Sequence, residues 1–275
     1  MLESVPAQRD KLMRFFGRHL VALCITYRDK TSADTGVLYS AYSCTLLHTD
    51  GYDYLLTAGH NLSNLHEALK SSSIEVLQAV LRDNPNSGSI HDLPIPFDLK
   101  SAPMAFIDED GLDFGVMLLR PYYVRLLAAN GMVAISEENW ARQHAVRFDA
   151  HFMLGFPEEL TSSHVNTIDD GLIASTLFPV DYVTEPPEDL SPTRSPRFIA
   201  KLRPNLDLVS VKGMSGGPIL GFNLTPPMRY WVVALQSTWL RERRLVFGCP
   251  IPVLAPLLTE ALRDARAASG LSSAE

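Results

Sequence analysis

The run Gly213-Met214-Ser215-Gly216-Gly217-Pro218 sets a serine among glycines. Lacking a Cβ, Gly213 and Gly216 reach backbone angles closed to other residues. The chain can therefore bend sharply enough to present the Ser215 hydroxyl while the N–H groups of Gly213 and Ser215 converge on one point. That is a nucleophile turn with an oxyanion hole; taken alone, the same run also reads as a glycine-rich hairpin turn. A serine hydroxyl is a poor nucleophile near neutral pH and needs a base in hydrogen-bond reach, plus a third group to fix the base's tautomer. His60 ends the apolar run Leu55-Leu56-Thr57-Ala58-Gly59, and Asp113 opens Asp113-Phe114-Gly115-Val116-Met117-Leu118-Leu119. Both sit at strand ends, which suits residues of a cleft. Asp108 and Asp110 rival Asp113, but they precede Gly111 in an acidic turn whose ordinary fate is solvation.

The elements that must position these groups are short. Residues 20–27, 37–47, 52–56, 74–81 and 113–119 are rich in β-branched and aromatic residues, with Gly, Pro, Asn and Asp between them. A second set follows at 148–156, 172–178, 197–202, 206–211, 218–222, 229–237 and 244–249. Two groups of short strands predict two β-barrels. Residues 5–18 space apolar side chains for an amphipathic helix, and residues 252–268 do the same for a docked terminal helix. Residues 136–144 read as a helical connector with Ser136 as N-cap and Glu137 and Glu138 in the first turn. Residues 179–196 are too proline-rich and acidic for a ladder strand and read as an exposed loop. The resulting division is 1–18 helix, 19–130 first barrel, 131–147 connector, 148–251 second barrel, 252–275 helix and fraying tail.

Composition narrows the function classes. The chain has 275 residues, 46% hydrophobic and 20% charged, the balance of an ordinary globular protein. A net charge of −7 argues against nucleic acid as partner, and the cluster Arg241-Glu242-Arg243-Arg244 reads as a solvated hairpin tip. No apolar run approaches the ~20 residues of a membrane span. The first 18 residues scatter charge among apolar positions, unlike a secretory signal. Cys24, Cys44 and Cys249 match no metal spacing and read as free thiols. These features point to a cytoplasmic protein with neither metal nor cofactor.

Leu56-Thr57-Ala58-Gly59-His60, Asp113-Phe114-Gly115-Val116-Met117-Leu118 and Gly213-Met214-Ser215-Gly216-Gly217-Pro218 together resemble the three catalytic segments of trypsin-like serine proteases, and Gly155-Phe156-Pro157 resembles bacterial members. The likeness runs from about residue 33 to 268 in the order His, Asp, Ser. It implies an all-β fold of two six-stranded antiparallel barrels, Ser215 as nucleophile, His60 as general base, Asp113 as its orienter, and an oxyanion hole from the Gly213 and Ser215 N–H groups. The nucleophile elbow of α/β-hydrolases is excluded, because that order needs a histidine after Ser215 and none exists. His66 reads as a surface residue of a helix; His19, His48, His91, His144, His151 and His164 have no partner motif.

The departures from the family are informative. Met214 stands where secreted members carry the aspartate that pairs with a freed N-terminus, so activation by such cleavage is not expected. Asn61 stands where a disulfide cysteine would follow the histidine, which fits an intracellular bacterial type. By the resemblance Val209 sets the base of the primary pocket, and an apolar base favours an uncharged substrate residue. Residues 232–237 resemble the edge that pairs with substrate backbone. Ser237, Thr238 and Trp239 then border the pocket, Thr238 and Trp239 replacing glycine and narrowing or blocking it. The expected activity is endopeptidase action on a protein or peptide, with the 179–196 loop, the N-terminal helix or a regulatory partner protein controlling access. The alternative is a catalytically silent peptide-binding or scaffold module.

Overall fold

Strand β1 (Leu20–Asp29) shows how the chain divides its core: successive side chains point to opposite faces, and both faces are buried. Leu20, Ala22 and Cys24 join one apolar cluster, while Val21, Leu23 and Ile25 join another. This is why its sequence is a near-continuous apolar run rather than an alternation. The computed structural model describes residues 5–32, 36–83, 94–140, 147–160, 173–204 and 208–269; His91, His144, His164 and the tail from residue 270 lie outside them.

The first strand group comprises β1, β2 (Leu38–Thr49), β3 (Tyr52–Thr57), β4 (Ile74–Arg82), β5 (Ile95–Pro96), β6 (Met104–Glu109) and β7 (Leu112–Leu118). It forms one antiparallel sheet in the order β5-β4-β1-β2-β3-β7-β6. Among the described residues this sheet does not close by pairing, which departs from the expected first barrel. β5 has two residues, one of them Pro96 without an N–H to donate. Helix α2 (Gly59–Lys70) packs against β4, β6 and β7 and so fills the space between the two edges. Helix α3 (Pro121–Ala129) starts on a proline and buries Tyr123 and Leu127 against the same core.

The second group is a closed barrel, β10-β13-β12-β11-β8-β9, built from β8 (Ala150–Gly155), β9 (Thr176–Tyr182), β10 (Phe198–Leu202), β11 (Pro218–Asn223), β12 (Arg229–Leu240) and β13 (Leu245–Pro250). Its interior holds Met153, Phe178, Val180, Ala200, Met214, Ile219 and Val246. Helices α1 (Val5–Gly17) and α4 (Ile251–Ser269) seal the junction between sheet and barrel. Phe16 meets Phe222 and Tyr230 edge to face, and Ile251, Leu254, Leu258 and Leu262 recur on one face of α4. Among the described residues no helix is long and apolar enough to cross a membrane.

Three other expectations change. Residues 208–211 are irregular, because Leu208 and Val211 reach the barrel core three apart while Val209 faces out; a strand would bury alternate residues. The connector has only a short 3₁₀ turn at Glu137–Asn139, residues 141–146 lying outside the described set, and the Ser136 side chain caps no backbone N–H. Residues 179–182 belong to β9 rather than to a loop; Pro179 lies one residue beyond the last pairing with β10, so its missing N–H costs no bond on that side. Beyond Tyr182 the segment is an exposed loop, tied down by the Arg243 guanidinium on the Asp189 carboxylate. The Arg241-to-Arg244 cluster is thus partly engaged and not merely a solvated tip, Arg244 donating to the Arg203 carbonyl at 2.7 Å.

Candidate functional site

β3 stops at Thr57 and α2 begins two residues later, so His60 enters on the first turn of a helix that directly follows a buried strand. Gly59 is required there by space: a Cβ would lie 1.8 Å from the Ile107 carbonyl oxygen of β6. Asp113 is the second residue of β7 and is almost fully buried. One carboxylate oxygen meets His60 Nδ1 at 2.7 Å and the other accepts from the His60 backbone N–H at 2.8 Å. The Ser237 hydroxyl donates a third bond to this carboxylate, at 2.5 Å. With Nδ1 committed to Asp113, the Nε2 side of the ring is the one left for substrate chemistry.

Burial alone would lower the His60 pKa, but the hydrogen bond and charge of Asp113, with a further charge at Asp108, outweigh it and hold the imidazole above its usual value. Burial alone would raise Asp113; the hydrogen bond and charge of His60 and the Ser237 hydroxyl hold it below the usual carboxylate range. Asp108 pairs with Asp113 across the β6–β7 ladder, and Asp110 sits in the following turn with Arg197 Nη1 3.7 Å away. Neither rival replaces Asp113 against the imidazole.

Ser215 and His60 face a common cavity of about 440 Å³, lined also by Asp113, Gly213, Ser237, Thr238, Trp239 and Phe247. A second cavity, about 490 Å³, lies on the other side of the same pair, between Leu38, Tyr42, Phe156 and Lys212. Ser215 Oγ donates to the Ser237 carbonyl at 2.6 Å, so the hydroxyl is turned toward β12. Cys249 borders the first cavity, but burial, then the Asp113 charge, push its thiol up to about 12. It is a protonated group and no competing nucleophile.

The backbone of the Ser215 turn can be accounted for bond by bond. The carbonyls of Lys212, Gly213, Met214, Ser215, Gly216 and Gly217 accept, in order, from Glu158 N–H, Ser43 Oγ, Gly217 N–H, Asn61 Nδ2, Thr45 Oγ1 and Gln236 N–H. The N–H groups of Lys212, Met214, Gly216 and Gly217 donate to Ser210 Oγ, Val211 O, Gln236 O and Met214 O. Gly213 and Ser215 remain, and their N–H groups donate to no acceptor among the described residues. Because a trans peptide places N–H opposite C=O, the Gly213 N–H points away from Glu158, which the Lys212 carbonyl bonds, and the Ser215 N–H points away from the Gly217 N–H, which the Met214 carbonyl bonds. Gly213 and Gly216 take φ of +88° and +94°, the left-handed region that glycine tolerates.

The chain matches no protein-family model and has no significant match among curated protein sequences. Among solved structures it is similar to the protease Anisep from Arthrobacter nicotinovorans, at 12% identity and a TM-score of 0.51, over 90% of this chain and 96% of that one. At that identity the likeness is one of fold. A thermostable serine protease, AL20, from an extremophilic microorganism gives 13% identity and a TM-score of 0.46 over 93% of this chain and 99% of the other.

The expected site residues separate into two sets. His60, Asp113, Ser215, Gly213, Ser237, Thr238 and Trp239 border one cavity. Val209 does not: it is 71% exposed and lines a separate hollow with Leu202, Leu208 and Arg241. Its N–H and that of Ser210 are held by the Glu159 carboxylate, which turns the segment outward. Thr238 and Trp239 form a wall without filling the cavity. Between Gln236 and Trp239 the β12–β13 pairing shifts register, leaving Ser237 and Thr238 outside the ladder beside Ser215, their carbonyls accepting from Ser215 Oγ and Gln236 Nε2. His66 lies on α2 with its ring edge against Phe106, half-buried rather than surface. The sequence marks Thr57 and Asn61 only as neighbours of His60 and does not mark Ser43 or Thr45, which are two of several polar residues in β2.

Proposed function

We propose that this protein is a serine endopeptidase of the trypsin-like kind, working through Ser215, His60 and Asp113. The observation that carries the reading is the pairing of a buried carboxylate with His60 at 2.7 Å, beside a serine whose turn leaves two N–H groups without acceptors. In this reading the Ser215 hydroxyl leaves the Ser237 carbonyl for His60 Nε2, on the ring edge that Asp113 does not hold. Oγ then attacks the scissile carbonyl and the imidazole takes the proton. The Gly213 and Ser215 N–H groups hold the oxyanion, a contribution worth roughly 3 to 4 kcal/mol per donor in related chemistry. The protonated imidazole, stabilised by Asp113, returns the proton to the leaving amine, and water then cleaves the acyl-enzyme. Neither metal nor organic cofactor enters these steps.

Val211, Trp239, Phe247 and Cys249 line one part of the cavity beside Ser215 and suit an uncharged substrate side chain, while Asp108, Glu109, Asp110, Arg197 and Lys212 line the rest of it. The three cysteines are buried and none is in a disulfide, in keeping with residence in the cytoplasm. The 183–196 loop lies against Gly111 at the rim of the same cavity, a Cβ there falling 2.7 Å from the Ser195 carbonyl oxygen, and access by this rim is where the loop or a partner would act.

One observation favours a second reading, a module that holds peptides without cutting them: the Ser215 hydroxyl bonds Ser237 rather than His60. Labelling with a fluorophosphonate separates the two. The proposal expects covalent modification of the wild type and none of Ser215→Ala, with turnover lost by about 10⁶-fold. A wild type that resists the reagent, or a variant labelled equally, rejects it.

A further inference from the structure

The Ser215 turn combines two features that pull in opposite directions. It needs fixed peptide planes to aim two N–H groups, yet it contains Gly213 and Gly216, the residues least able to hold a plane. The bonds to its carbonyls show what opposes that softness. Three come from side chains of the other half of the molecule: Ser43 Oγ to Gly213 O at 2.8 Å, Asn61 Nδ2 to Ser215 O at 3.0 Å, and Thr45 Oγ1 to Gly216 O at 3.1 Å.

We propose that Ser43, Thr45 and Asn61 are positioning residues that clamp the nucleophile turn, an inference that rests on the endopeptidase reading above. The clamped planes alternate with the planes that carry the candidate oxyanion donors. Lys212–Gly213 carries the first donor, and its neighbour Gly213–Met214 is held by Ser43. Met214–Ser215 carries the second, and its neighbour Ser215–Gly216 is held by Asn61. Thr45 grips the next plane. Reversing a donor plane requires a compensating rotation in the neighbouring one, and each such neighbour is tied to the sheet.

The clamp is itself rigid. Ser43, Thr45 and Thr57 are fully buried and Asn61 nearly so. The Ser43 hydroxyl accepts from Phe156 N–H at 2.9 Å while donating to Gly213, which fixes its proton. The Ser43 carbonyl accepts from Thr57 Oγ1 at 2.8 Å, and Thr57 Oγ1 accepts in turn from Asn61 Nδ2 at 3.0 Å. The turn presses directly on this group: a Cβ on Gly216 would fall 2.2 Å from Thr57 Oγ1. Because Asn61 adjoins His60, one residue couples the place of the base to the place of the nucleophile.

Thr45 gives the sharpest test, since Thr45→Val keeps the shape and removes the donor, while Thr45→Ser keeps the donor and removes a methyl. The measurements are melting temperature, fluorophosphonate labelling rate, and exchange of the Met214, Gly216 and Gly217 amides by NMR. The clamp expects Thr45→Val and Ser43→Ala to label on the order of 10-fold more slowly and to exchange these amides faster, while Thr45→Ser stays near wild type in both. Labelling and exchange at wild-type levels in Thr45→Val and Ser43→Ala overturn it, whatever their melting temperatures. If the wild type itself does not label, the endopeptidase reading falls, and amide exchange alone then decides the clamp: faster in Ser43→Ala upholds it, unchanged overturns it.

Discussion

The two halves contribute to the site in different currencies. The seven-stranded sheet with α2 supplies side chains: an imidazole, a carboxylate, and the hydroxyls and amide that reach across to the Ser215 turn. The closed barrel supplies mostly backbone, namely two N–H groups, the Ser237 carbonyl and the stretch at Ser237 and Thr238 outside the ladder, with the Ser215 and Ser237 hydroxyls as its side-chain groups. Side-chain chemistry depends on residue identity and tolerates small shifts of backbone. Backbone chemistry is indifferent to most identities and depends on torsion. Substitutions in the two halves should therefore fail in different ways.

The largest effect that sharpens this contrast is in the sheet half. Asp113→Asn keeps the shape but cannot hold His60 in the tautomer that leaves Nε2 free as a base, so kcat should fall on the order of 10⁴-fold. The pH dependence has a definite sign. His60 must be neutral to act, and its pKa is held above the usual value, so activity should be lost as pH falls through a midpoint above about 6.5. In Asp113→Asn burial remains while the hydrogen bond and charge are gone, and the imidazole pKa should drop below that value. NMR titration of His60 in both proteins checks it, and coincident midpoints would show that Asp113 does not govern the base. In stability the same pair works at both ends of the scale. The raised His60 contributes fully below its unfolded pKa, and this is lost as pH rises through the folded one. The lowered Asp113 contributes above its unfolded value, and this is lost as pH falls through the folded one.

In the barrel half the matching change is Gly213→Ala. Its φ of +88° and a new Cβ only 2.7 Å from the Phe156 carbonyl oxygen should rotate the peptide that carries the first donor. A loss of about 10²- to 10³-fold in kcat with KM little changed is expected. Equal loss in both parameters would mean that the cleft, rather than one N–H, had moved. The contrast is that the sheet-half variant should shift the His60 titration, whereas this one should leave it in place.

What could be read from sequence follows the same division. His60, Asp113 and Ser215 were legible as candidates because few residue types could do such chemistry, His60 and Asp113 end and begin apolar runs, and Ser215 sits among glycines. The strands of the barrel were legible because most are β-branched, aromatic and bounded by turn residues. β6 was missed because Met104–Glu109 ends in acids and is only half-buried at its start. The open sheet was missed because closure depends on what fills the gap between edges, here α2, and no local pattern encodes that. The clamp of Ser43, Thr45 and Asn61 was invisible because its acceptors are carbonyls far away in the chain, and any residue could have supplied them.

The smallest expected effect concerns the residue on which the specificity reading first depended. The resemblance places the base of the primary pocket at Val209, six residues before Ser215, in a segment, 206–211, that reads as a strand. Leu208 and Val211 anchor that segment in the barrel core instead, and Glu159 holds the intervening N–H groups from outside. Val209→Asp should therefore leave the cleavage profile on a peptide library unchanged, with kcat/KM within about twofold, as befits a surface substitution. Val211→Asp puts a charge against the cavity wall near Phe247 and should change the profile or weaken the fold. If the exposed position proves the more consequential of the two, the cavity beside Ser215 is not where the substrate side chain is read.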